Sequence, residues 1–507
     1  MRRLSRYSTS SPPSTRANPD PATPLSGWER ALRRLRLWAR LTWLHRTLAG
    51  RLPAPVATIW SRICRELTPQ TYLVGGCVRD LLLGRAVHDW DLATAAKPEA
   101  VADIFARTIP TGLAHGTITV IEDSCPVEVT TFRREGPYLD GRRPSAVTFD
   151  ADLESDLSRR DFTINAMALA HPRLRSNGPW FRDPCGGFAD LAHGLVSAVG
   201  DAAARFAEDH LRIMRAYRIA AELGFTLGSG TARAAREAAA TLAGVSAERV
   251  RAELTRILLS DNVAWCLEEL RQAGVVDIIL PELAKGVGFE QNEYHPYDVW
   301  QHSVLACAGV PPVLHLRWAA LLHDAGKPLT LTLDQQGRRH FYRHEHVGAE
   351  IAAQVLERLR YDRETIRRVV HLVSRHMDFH DLPPEAGDGA VRRAAARVGR
   401  EHLGDLLRLR YADRMAAGKT GPASRGTLKM LARLAELEEA GTALSVADLR
   451  IDGHQLMQAT GLKPGPAVGE LLRQLLDAVI EDPHLNSPDE LRALARRIVA
   501  ARERLQP

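Results

Sequence analysis

Lysine is scarce in this chain. The 507 residues contain 67 basic side chains, yet lysine occurs only at positions 97, 285, 327, 419, 429 and 463. The formal net charge is +6 and the isoelectric point is about 9.1, which permits a nucleic-acid partner without requiring one. Arginine binds phosphate through a bidentate fork, but an Arg- and Ala-rich composition is equally typical of a GC-rich genome.

The cysteines and the apolar segments exclude other classes of protein. No C-x-x-C motif occurs among the six widely spread cysteines, a pattern that predicts reduced thiols in a cytosol. No apolar stretch approaches the ~18 residues that a membrane-spanning helix needs. We therefore expect a cytoplasmic protein without a membrane partner.

The length predicts several domains, because 507 residues are too many for one hydrophobic core. Residues 1–52 form an N-terminal extension whose first part is rich in Ser, Pro and Arg and is predicted to be disordered. The basic stretch 28–50 has Leu and Trp at helical spacing. It could bind RNA or a membrane surface or belong to a targeting signal, but we favour an over-long start or a helix packed on the first domain.

Four further regions follow from the hydrophobic patterns. Residues 53–200 alternate short β-branched runs with helical segments, which predicts an α/β or α+β head. Residues 201–285 form a helical neck with apolar residues at three- and four-residue spacings. Histidines concentrate in residues 286–420, and residues 421–507 are again helical.

Asp89 and Asp91 follow a glycine turn in the stretch LVGGCVRDLLLGRAVHDWDLAT, residues 73–94. If Trp90 lies in a strand, both aspartates point to the same face. Like charges at that distance repel, so the pattern favours a bound divalent cation. The alternative is a pair of solvated aspartates at a strand end, and the surrounding motifs decide between the two.

The neighbours of this pair suit a nucleotide site. Gly76 and the glycine before it let backbone N–H groups approach phosphates at a helix start, where Arg79 is placed to grip a triphosphate. Two carboxylates on one face can hold two Mg²⁺ ions about 3.5–4 Å apart. Glu128, in CPVEVTTFR, is the candidate for a third catalytic carboxylate; an ordinary strand-surface glutamate is the alternative.

Four later segments narrow the family. They are RRDFTINAMAL (159–169), FRDPCGGFADL (181–191), EDHLRIMRAYRIAAELGF (208–225) and SAERVRAEL (246–254). Together with the glycine turn and D-x-D, residues 70–285 resemble the class II tRNA nucleotidyltransferases (CCA-adding enzymes) and the related bacterial poly(A) polymerases. The resemblance implies an α+β fold, with a polymerase β-like head of mixed sheet and helices followed by helical domains.

The resemblance also implies individual roles. In the family's E-D-x-x-R motif the aspartate and arginine read the Watson–Crick edge of the incoming nucleotide, which implies Asp209 and Arg212 here. Their i, i+3 spacing predicts that both lie on one helix face. Arg215 and Arg218 follow in the same segment, and their alternative is a basic stripe on a solvated helix. The remaining residues assigned to the nucleotide site are Gly76, Arg79, Arg160, Asp161, Asn165, Arg215 and Arg218.

The segment GLAHGTITV resembles the H-G-T segment of CCA-adding enzymes rather than the corresponding poly(A) polymerase segment. It favours addition of CCA to tRNA from CTP and ATP, with Mg²⁺ as cofactor. The loop from Thr131 to Asp150 resembles the usual flexible loop and shows no sign of the shortened form. Poly(A) tailing with ATP is the nearest alternative.

A second set of motifs resembles an HD-type metal-dependent phosphohydrolase domain: VWQHSVLACAG, LLHDAGKP, YRHEHVGAE, LVSRHM and LRYADRMA. Imidazole and carboxylate ligands suit a transition metal such as Ni, Mn, Fe or Zn. The family's activities are 2′,3′-cyclic phosphodiesterase, 2′-nucleotidase and phosphatase, although some members retain only a helical body. The implied ligands are His302, His323, Asp324 and Asp413, with His344 and His376 for a second metal or the phosphate.

Two further interpretations stay open. Hydrolysis by the HD domain could be the main activity, with the head as an RNA-docking remnant. The whole chain could also be a non-catalytic tRNA-binding scaffold. Whether or not the protein is an enzyme, we expect its C-terminal helices, residues 421–507, to contact the tRNA backbone.

Overall fold

The computed structural model describes residues 26–136, 145–149, 151–173, 179–292, 296–379, 386–418, 430, 432, 433, 436 and 442–505. The chain divides into two compact units, and the boundary falls between Pro281 and Glu282. Residues 1–25, whose first part is predicted to be disordered, lie outside the described residues. So does the centre of the predicted flexible loop, including Tyr138 and Asp140.

A seven-stranded mixed sheet forms the head, in the order β3-β4-β5-β2-β1-β8-β9. Its strands are β1 (Thr71–Val74), β2 (Trp90–Thr94), β3 (Thr108–Gly112), β4 (Thr117–Glu122), β5 (Cys125–Thr131), β8 (Ala168–Ala170) and β9 (Phe181–Arg182). Only β2 and β5 run parallel; the other neighbours are antiparallel. The predicted mixed sheet is confirmed, and its central parallel pair carries the acidic residues.

Helices surround this sheet and continue beyond it to the end of the first unit. They are α1 (Gly27–Thr47), α2 (Ala54–Glu66), α3 (Gly76–Leu83), α4 (Pro98–Ile104), α5 (Leu153–Ser158), α6 (Gly187–His193), α7 (Ala202–Glu208), α8 (Arg212–Leu223), α9 (Ser229–Glu237), α10 (Ala247–Leu258), α11 (Val263–Gln272) and α12 (Val275–Ile279). Short 3₁₀ helices are Leu48–Gly50, Leu113–His115, Thr163–Asn165 and Ala239–Gly244. Two-stranded pairs join β6 (Arg134–Glu135) to β7 (Val147–Thr148) and β10 (Leu195–Val196) to β11 (Thr226–Leu227).

Helix α1 packs on the head. Ser26 and Glu29 cap its start reciprocally, which satisfies backbone N–H groups of the first turn. Trp38 contacts the Phe188 ring of α6, with centroids 4.9 Å apart. Arg40 donates to the carbonyl of Leu81 near the end of α3, at 3.3 Å. The basic stretch is therefore part of the first unit.

Replacing leucine by alanine should destabilise the protein on the buried face of α1 and have little effect on the exposed face. Leu44 is 1% exposed, whereas Leu35 is 66% exposed. Leu44→Ala should lower the free energy of unfolding by about 2–4 kcal/mol, because it leaves a cavity. Leu35→Ala should change it by less than about 0.5 kcal/mol. Thermal unfolding of both variants measures this; equal losses would contradict the packed position of α1.

Within the described residues, the second unit is helical apart from one hairpin. Its helices are α13 (Pro281–Ala284, which begins in the first unit), α14 (Val299–Gly309), α15 (Leu314–Leu322), α16 (His344–Arg358), α17 (Arg363–Arg375), α18 (Asp388–Val398), α19 (Arg400–Ala416), α20 (Gly453–Thr460), α21 (Pro466–Glu481) and α22 (Pro488–Leu505). The hairpin pairs β12 (Leu331–Leu333) with β13 (Arg339–Phe341), and 3₁₀ helices are Lys327–Leu329, Val446–Asp448 and Pro483–Leu485. The last three helices share a hydrophobic cluster that includes Leu456, Leu475 and Leu491. The expected helical regions are confirmed, but they are not all-helical, because β11 lies in the predicted neck and this hairpin in the predicted HD domain.

Candidate active sites

Strand β2 begins between the two aspartates of the D-x-D pattern. Trp90 begins the strand and is buried, while Asp89 is exposed and Asp91 is half-buried. On the parallel neighbour β5, Glu128 lies in register with Asp91. The structure thus brings the three candidate catalytic carboxylates to one part of the sheet.

The surroundings of Asp91 shift the pKa of its carboxyl in both directions. Burial raises the pKa of Asp91 to about 6; Arg160 lowers it, and the carboxylates of Glu128 and Asp89 raise it. Like charges gathered at one half-buried point destabilise each other, and a divalent cation would relieve that repulsion. The oxygen donors therefore fit a hard cation such as Mg²⁺.

Gly75 makes the tight approach between the glycine turn and this acid possible. Its φ is +78°, and a Cβ there would lie 3.0 Å from Asp91 Oδ2 and 3.1 Å from Arg160 Nη1. A side chain would therefore be strained as well as crowded. Sequence reasoning assigned a role to Gly76, which begins α3, and missed that Gly75 is the position that only glycine suits.

A chain of polar contacts links α3 to the neck. Arg79 donates to Asn165 Oδ1 at 2.9 Å and also pairs with Asp80. Asn165 donates to Asp161 Oδ1 at 3.2 Å, and Arg215 of α8 binds the other oxygen of Asp161 at 2.6 Å. Four of the residues assigned to the nucleotide site are thus connected directly.

The half-buried pair Asp161–Arg215 is firmly ionised. Burial alone would raise the pKa of Asp161, but the charge and hydrogen bonds of Arg215, the Asn165 amide and the charge of Arg212 together lower it to about 2. The carboxylate of Asp161 in turn raises the pKa of Arg215. This ion pair joins the RRD segment to α8.

The prediction that Asp209 and Arg212 lie on one helix face is wrong. Helix α7 ends at Glu208 and α8 begins at Arg212, so Asp209 lies in the turn with an extended backbone. Its carboxylate accepts a hydrogen bond from the Leu211 N–H at 3.1 Å. An aspartate that bonds nearby backbone groups in this way competes with helix formation.

Asp209 and Arg212 nevertheless remain neighbours. The backbone N–H of Arg212 donates to the Asp209 carbonyl at 2.9 Å. The Arg212 guanidinium is held by Glu208 Oε2 at 2.5 Å. The pair projects from a turn and a helix start instead of one helical stripe.

Arg249 was missed by the sequence reasoning. It lies in α10, and its Nη2 binds Asp209 Oδ2 at 2.7 Å. The signal was present, because Arg249 belongs to the SAERVRAEL segment that carried the family resemblance. The same helix supplies Glu253, which binds Arg218.

Arg218 does not join the other nucleotide-site arginines. Its side chain is 6% exposed and pairs with both Glu253 and Glu222. The pair with Glu253 connects α8 to α10. The structure therefore places Arg218 in the body of the neck, with no exposed guanidinium to offer a nucleotide.

The second unit brings all six implied metal ligands together in two trios. The first trio contains His302 from α14, His323 after α15 and Asp413 from α19. His302 Nε2 lies 3.0 Å from Asp413 Oδ1 and 3.2 Å from His323 Nε2. Three elements far apart in sequence thus converge on one point.

Asp324 connects this trio to the second one. Its Oδ2 lies 3.3 Å from His323 Nε2, and its Oδ1 lies 3.4 Å from His344 Nε2. The Nε2 atoms of His344 and His376 are 3.2 Å apart. One carboxylate with an oxygen toward each trio is the arrangement of a two-metal centre.

Backbone carbonyls orient three of these imidazoles. The Nδ1 atoms of His323, His344 and His376 hydrogen-bond the carbonyl three residues earlier, at 2.8, 2.8 and 2.7 Å. Each ring therefore presents Nε2 to the centre, as a ligand held by an outer hydrogen bond does.

The protonation states fit a metal site. Burial lowers the pKa of His376 to about 3, with His323 and His344 lowering it further, so its imidazole is neutral. Burial would raise the pKa of Asp324, but His323 and Lys327 hold it well below its usual range. Burial would lower the pKa of His323, but the carboxylates of Asp324 and Asp413 raise it to about 10. A divalent transition metal binds neutral imidazoles and ionised carboxylates, so its binding would displace the proton of His323.

The comparisons with known proteins agree with the two kinds of domain. Family models match residues 71–197 ("Poly A polymerase head domain"), 224–286 ("Probable RNA and SrmB- binding site of polymerase A") and 292–418 ("HD domain"). The fold and sites are those of a nucleotidyltransferase with an HD domain, and such domains generally use divalent metals.

Individual relatives narrow the family. The A-adding tRNA nucleotidyltransferase of Deinococcus radiodurans is 37% identical over 85% of this chain and 95% of its own. The CCA-adding enzyme of Leuconostoc mesenteroides is 31% identical over 85% and 93%. The chain belongs to the family of class II tRNA nucleotidyltransferases and bacterial poly(A) polymerases, as its motifs predicted.

Solved structures share the fold. The Bacillus stearothermophilus CCA-adding enzyme in complex with CTP superposes with a TM-score of 0.64 at 27% identity, over 89% of this chain and 100% of its own. The Thermotoga maritima CCA-adding enzyme complexed with tRNA gives 0.57 at 18% identity, a likeness of fold alone. None of the helices within the described ranges is long and apolar enough to cross a bilayer.

Proposed function

We propose that the first unit adds CCA to the 3′ end of tRNA from CTP and ATP, without a nucleic-acid template. The observation that carries this proposal is the meeting of the Asp89–Asp91–Glu128 carboxylates with the Gly75 turn on one sheet. Relatives named CCA-adding enzymes, at 31–34% identity, support it. The alternative is poly(A) tailing, but none of the relatives described above is named a poly(A) polymerase.

The chemistry is a phosphoryl displacement. The tRNA 3′-hydroxyl oxygen attacks the α-phosphorus, its proton leaves, and the bond to pyrophosphate breaks. Mg²⁺ bound by Asp89, Asp91 and Glu128 would supply charge neutralisation for the attacking and leaving oxygens. Arg160, beside Gly75, is placed to hold the triphosphate, and Arg79 reaches the same helix start.

We assign base selection to Asp209 and Arg212. Cytosine and adenine both offer an amine donor beside a ring-nitrogen acceptor on the Watson–Crick edge. A carboxylate acceptor next to a guanidinium donor matches that order and mismatches guanine and uracil. The Asp161–Arg215 pair and Asn165 support this site, and Arg218 supports α8 from within the neck.

Arg249 should act as a positioning residue for this selection. Arg249→Ala removes the 2.7 Å contact to Asp209, and a charged hydrogen bond contributes about 1.5–3 kcal/mol. We expect the preference for CTP over UTP, measured as a ratio of kcat/KM, to fall about tenfold or more. Arg256→Ala in the same helix removes an exposed pair with Glu222 and is the matched control. Equal ratios in both variants would contradict this role.

Addition of A alone is the second candidate, because the Deinococcus radiodurans relative at 37% identity is named A-adding. An extension assay separates the two. CTP incorporated into tRNA lacking its whole CCA end establishes CCA addition, and ATP used only on tRNA ending in CC establishes A addition. ATP tailing of unrelated RNA would instead establish a poly(A) polymerase, and no extension would leave a binding scaffold.

We further propose that the HD centre hydrolyses phosphate esters of RNA ends or nucleotides. The two trios joined by Asp324 support this, since both sets of ligands are complete. A transition metal such as Ni, Mn, Fe or Zn would supply an activated water. In the reaction, water oxygen attacks phosphorus, the ester P–O bond breaks, and the departing ribose oxygen takes a proton.

We propose five regions, with boundaries set by the hydrophobic patterns and the motifs. The extension is 1–52, the head 53–200, the selecting neck 201–285, the HD domain 286–420 and a tRNA-binding region 421–507. We place the protein in the cytoplasm, where its substrates and reduced thiols would be found; the cysteines of the described residues are all free.

A further inference from the structure

The β12–β13 hairpin leads directly into the HD centre. It connects the 3₁₀ helix that contains Lys327 to α16, whose first residue is His344. The carbonyl of Phe341, the last residue of β13, accepts the hydrogen bond that orients the imidazole of His344, at 2.8 Å. The end of the hairpin is therefore part of the support of one implied metal ligand.

Two rings are stacked at this end of the hairpin. The rings of His340 and Tyr342 lie at an interplanar angle of 6° with centroids 5.4 Å apart. The His340 ring is fixed by a hydrogen bond, because its Nε2 lies 3.1 Å from Asp334 Oδ2. The tyrosine ring thus rests on a neighbour that is itself fixed by a hydrogen bond.

Tyr342 is 67% exposed, although a large aromatic side chain gains from burial. The ring stacks with His340, and most of the side chain is open to solvent. Consecutive Cα atoms are about 3.8 Å apart, so the Cα atoms of Tyr342 and His344 lie within about 7.6 Å. An exposed aromatic ring is thus carried two residues before an implied metal ligand.

The backbone and charge beside the ring also suit a nucleotide. Arg343 lies between Tyr342 and His344 in the left-handed region, with φ of 61°, which is uncommon for a residue other than glycine. Such strain is typically maintained at functional positions. Arg343 is exposed and follows Tyr342 directly, so a cationic side chain is next to the ring in the sequence.

We propose that Tyr342, backed by His340, is a stacking platform for the base of a ribonucleotide whose 2′- or 3′-phosphate is bound at the HD centre. Aromatic stacking accepts any base, because every base has a π-face. The platform would make the centre prefer a phosphate carried by a nucleoside over the same phosphate on a simple alcohol. This inference rests on the proposed hydrolytic function of the HD centre.

The test compares adenosine 2′-phosphate with glycerol 2-phosphate, which lacks a base. Loss of the ring in Tyr342→Leu should raise KM for adenosine 2′-phosphate about tenfold, leave kcat within about twofold, and leave glycerol 2-phosphate hydrolysis unchanged. Tyr342→Phe keeps the ring and should behave as the original protein. Leu333→Ala, on the opposite hairpin face and 64% exposed, is the matched control.

Binding gives a second readout that does not depend on turnover. Calorimetric titration with adenosine 2′-phosphate should show about tenfold weaker binding to Tyr342→Leu than to Leu333→Ala. If the original protein hydrolyses neither compound, the hydrolytic proposal fails, and this titration alone decides the platform. Repeating the kinetics with an oligonucleotide ending in a 2′-phosphate shows whether the base comes from a free nucleotide or an RNA end.

Two results would overturn the platform. The first is equal loss on the two phosphate compounds in Tyr342→Leu, which would mean that the ring only stabilises the hairpin and His344. The second is unchanged binding and KM for every nucleotide in that variant. Metal content measured on each variant identifies a damaged centre, since Tyr342→Leu should keep the metal of the original protein.

Discussion

Asp91→Asn should reduce nucleotide addition by about 10³-fold, the range expected when a charged group that acts on the transition state is lost. Asp91 is the half-buried member of the acidic group, and it lies against the Gly75 turn and Arg160. Asparagine keeps its size but removes the negative charge that a divalent cation needs. The measurement is extension of tRNA lacking CCA, with CTP and ATP under saturating Mg²⁺.

The control for this variant is Asp103→Asn, an exposed aspartate of α4 in the same unit. It should extend tRNA at the original rate. Asp91→Asn should keep its thermal unfolding temperature within a few degrees, because removal of a repelled charge does not destabilise the sheet. Undiminished addition by Asp91→Asn would refute the assignment of this acid to catalysis and revive HD hydrolysis as the main activity.

Asp324→Ala should remove the metal and with it the hydrolytic activity of the second unit. Its two oxygens face different trios, so one substitution breaks the connection between both. Loss of a ligand from such a centre should lower metal affinity by at least the 10–100-fold seen for outer partners. We expect about 10²-fold or greater loss of phosphate release from adenosine 2′-phosphate, with little metal retained after dialysis.

His346→Ala is the matched control for metal content, because His346 follows His344 by two residues but is 61% exposed. It should retain the metal of the original protein. CCA addition should be unchanged in both variants, since their substitutions lie in the second unit. Equal metal content in Asp324→Ala and the original protein would contradict a bridging role for this carboxylate.

The family and the general fold were predictable from sequence. Five ordered motifs, each weak alone, indicated the nucleotidyltransferase head and neck, and the family models and relatives confirm that conclusion. An α/β or α+β head was predictable because β-branched runs alternate with helical ones between residues 53 and 200, and the family resemblance implied the mixed sheet. Local pattern carries this information, since strand and helix periods differ.

The details of the nucleotide site were less predictable. The i, i+3 spacing suggested one helix face for Asp209 and Arg212, but capping contacts of Asp209 end the helix pattern there. Spacing also could not show that Arg218 turns into the neck toward Glu253, 35 residues away. Such pairings depend on how α8 packs against α10, which is a long-range property.

The sequence by itself determined which functional side chains are present and in which order. These are the D-x-D pair, the E-D-x-x-R motif and the six histidines and aspartates of the HD pattern. Those features are local, because residue type and spacing fix what a short segment can bind. Only the tertiary structure decided that Asp324 faces both trios, that Arg249 holds Asp209, and that Tyr342 stands exposed beside His344. The first two arrangements join segments separated by tens of residues, and the third depends on the path of the hairpin, so packing of whole helices and strands sets them all.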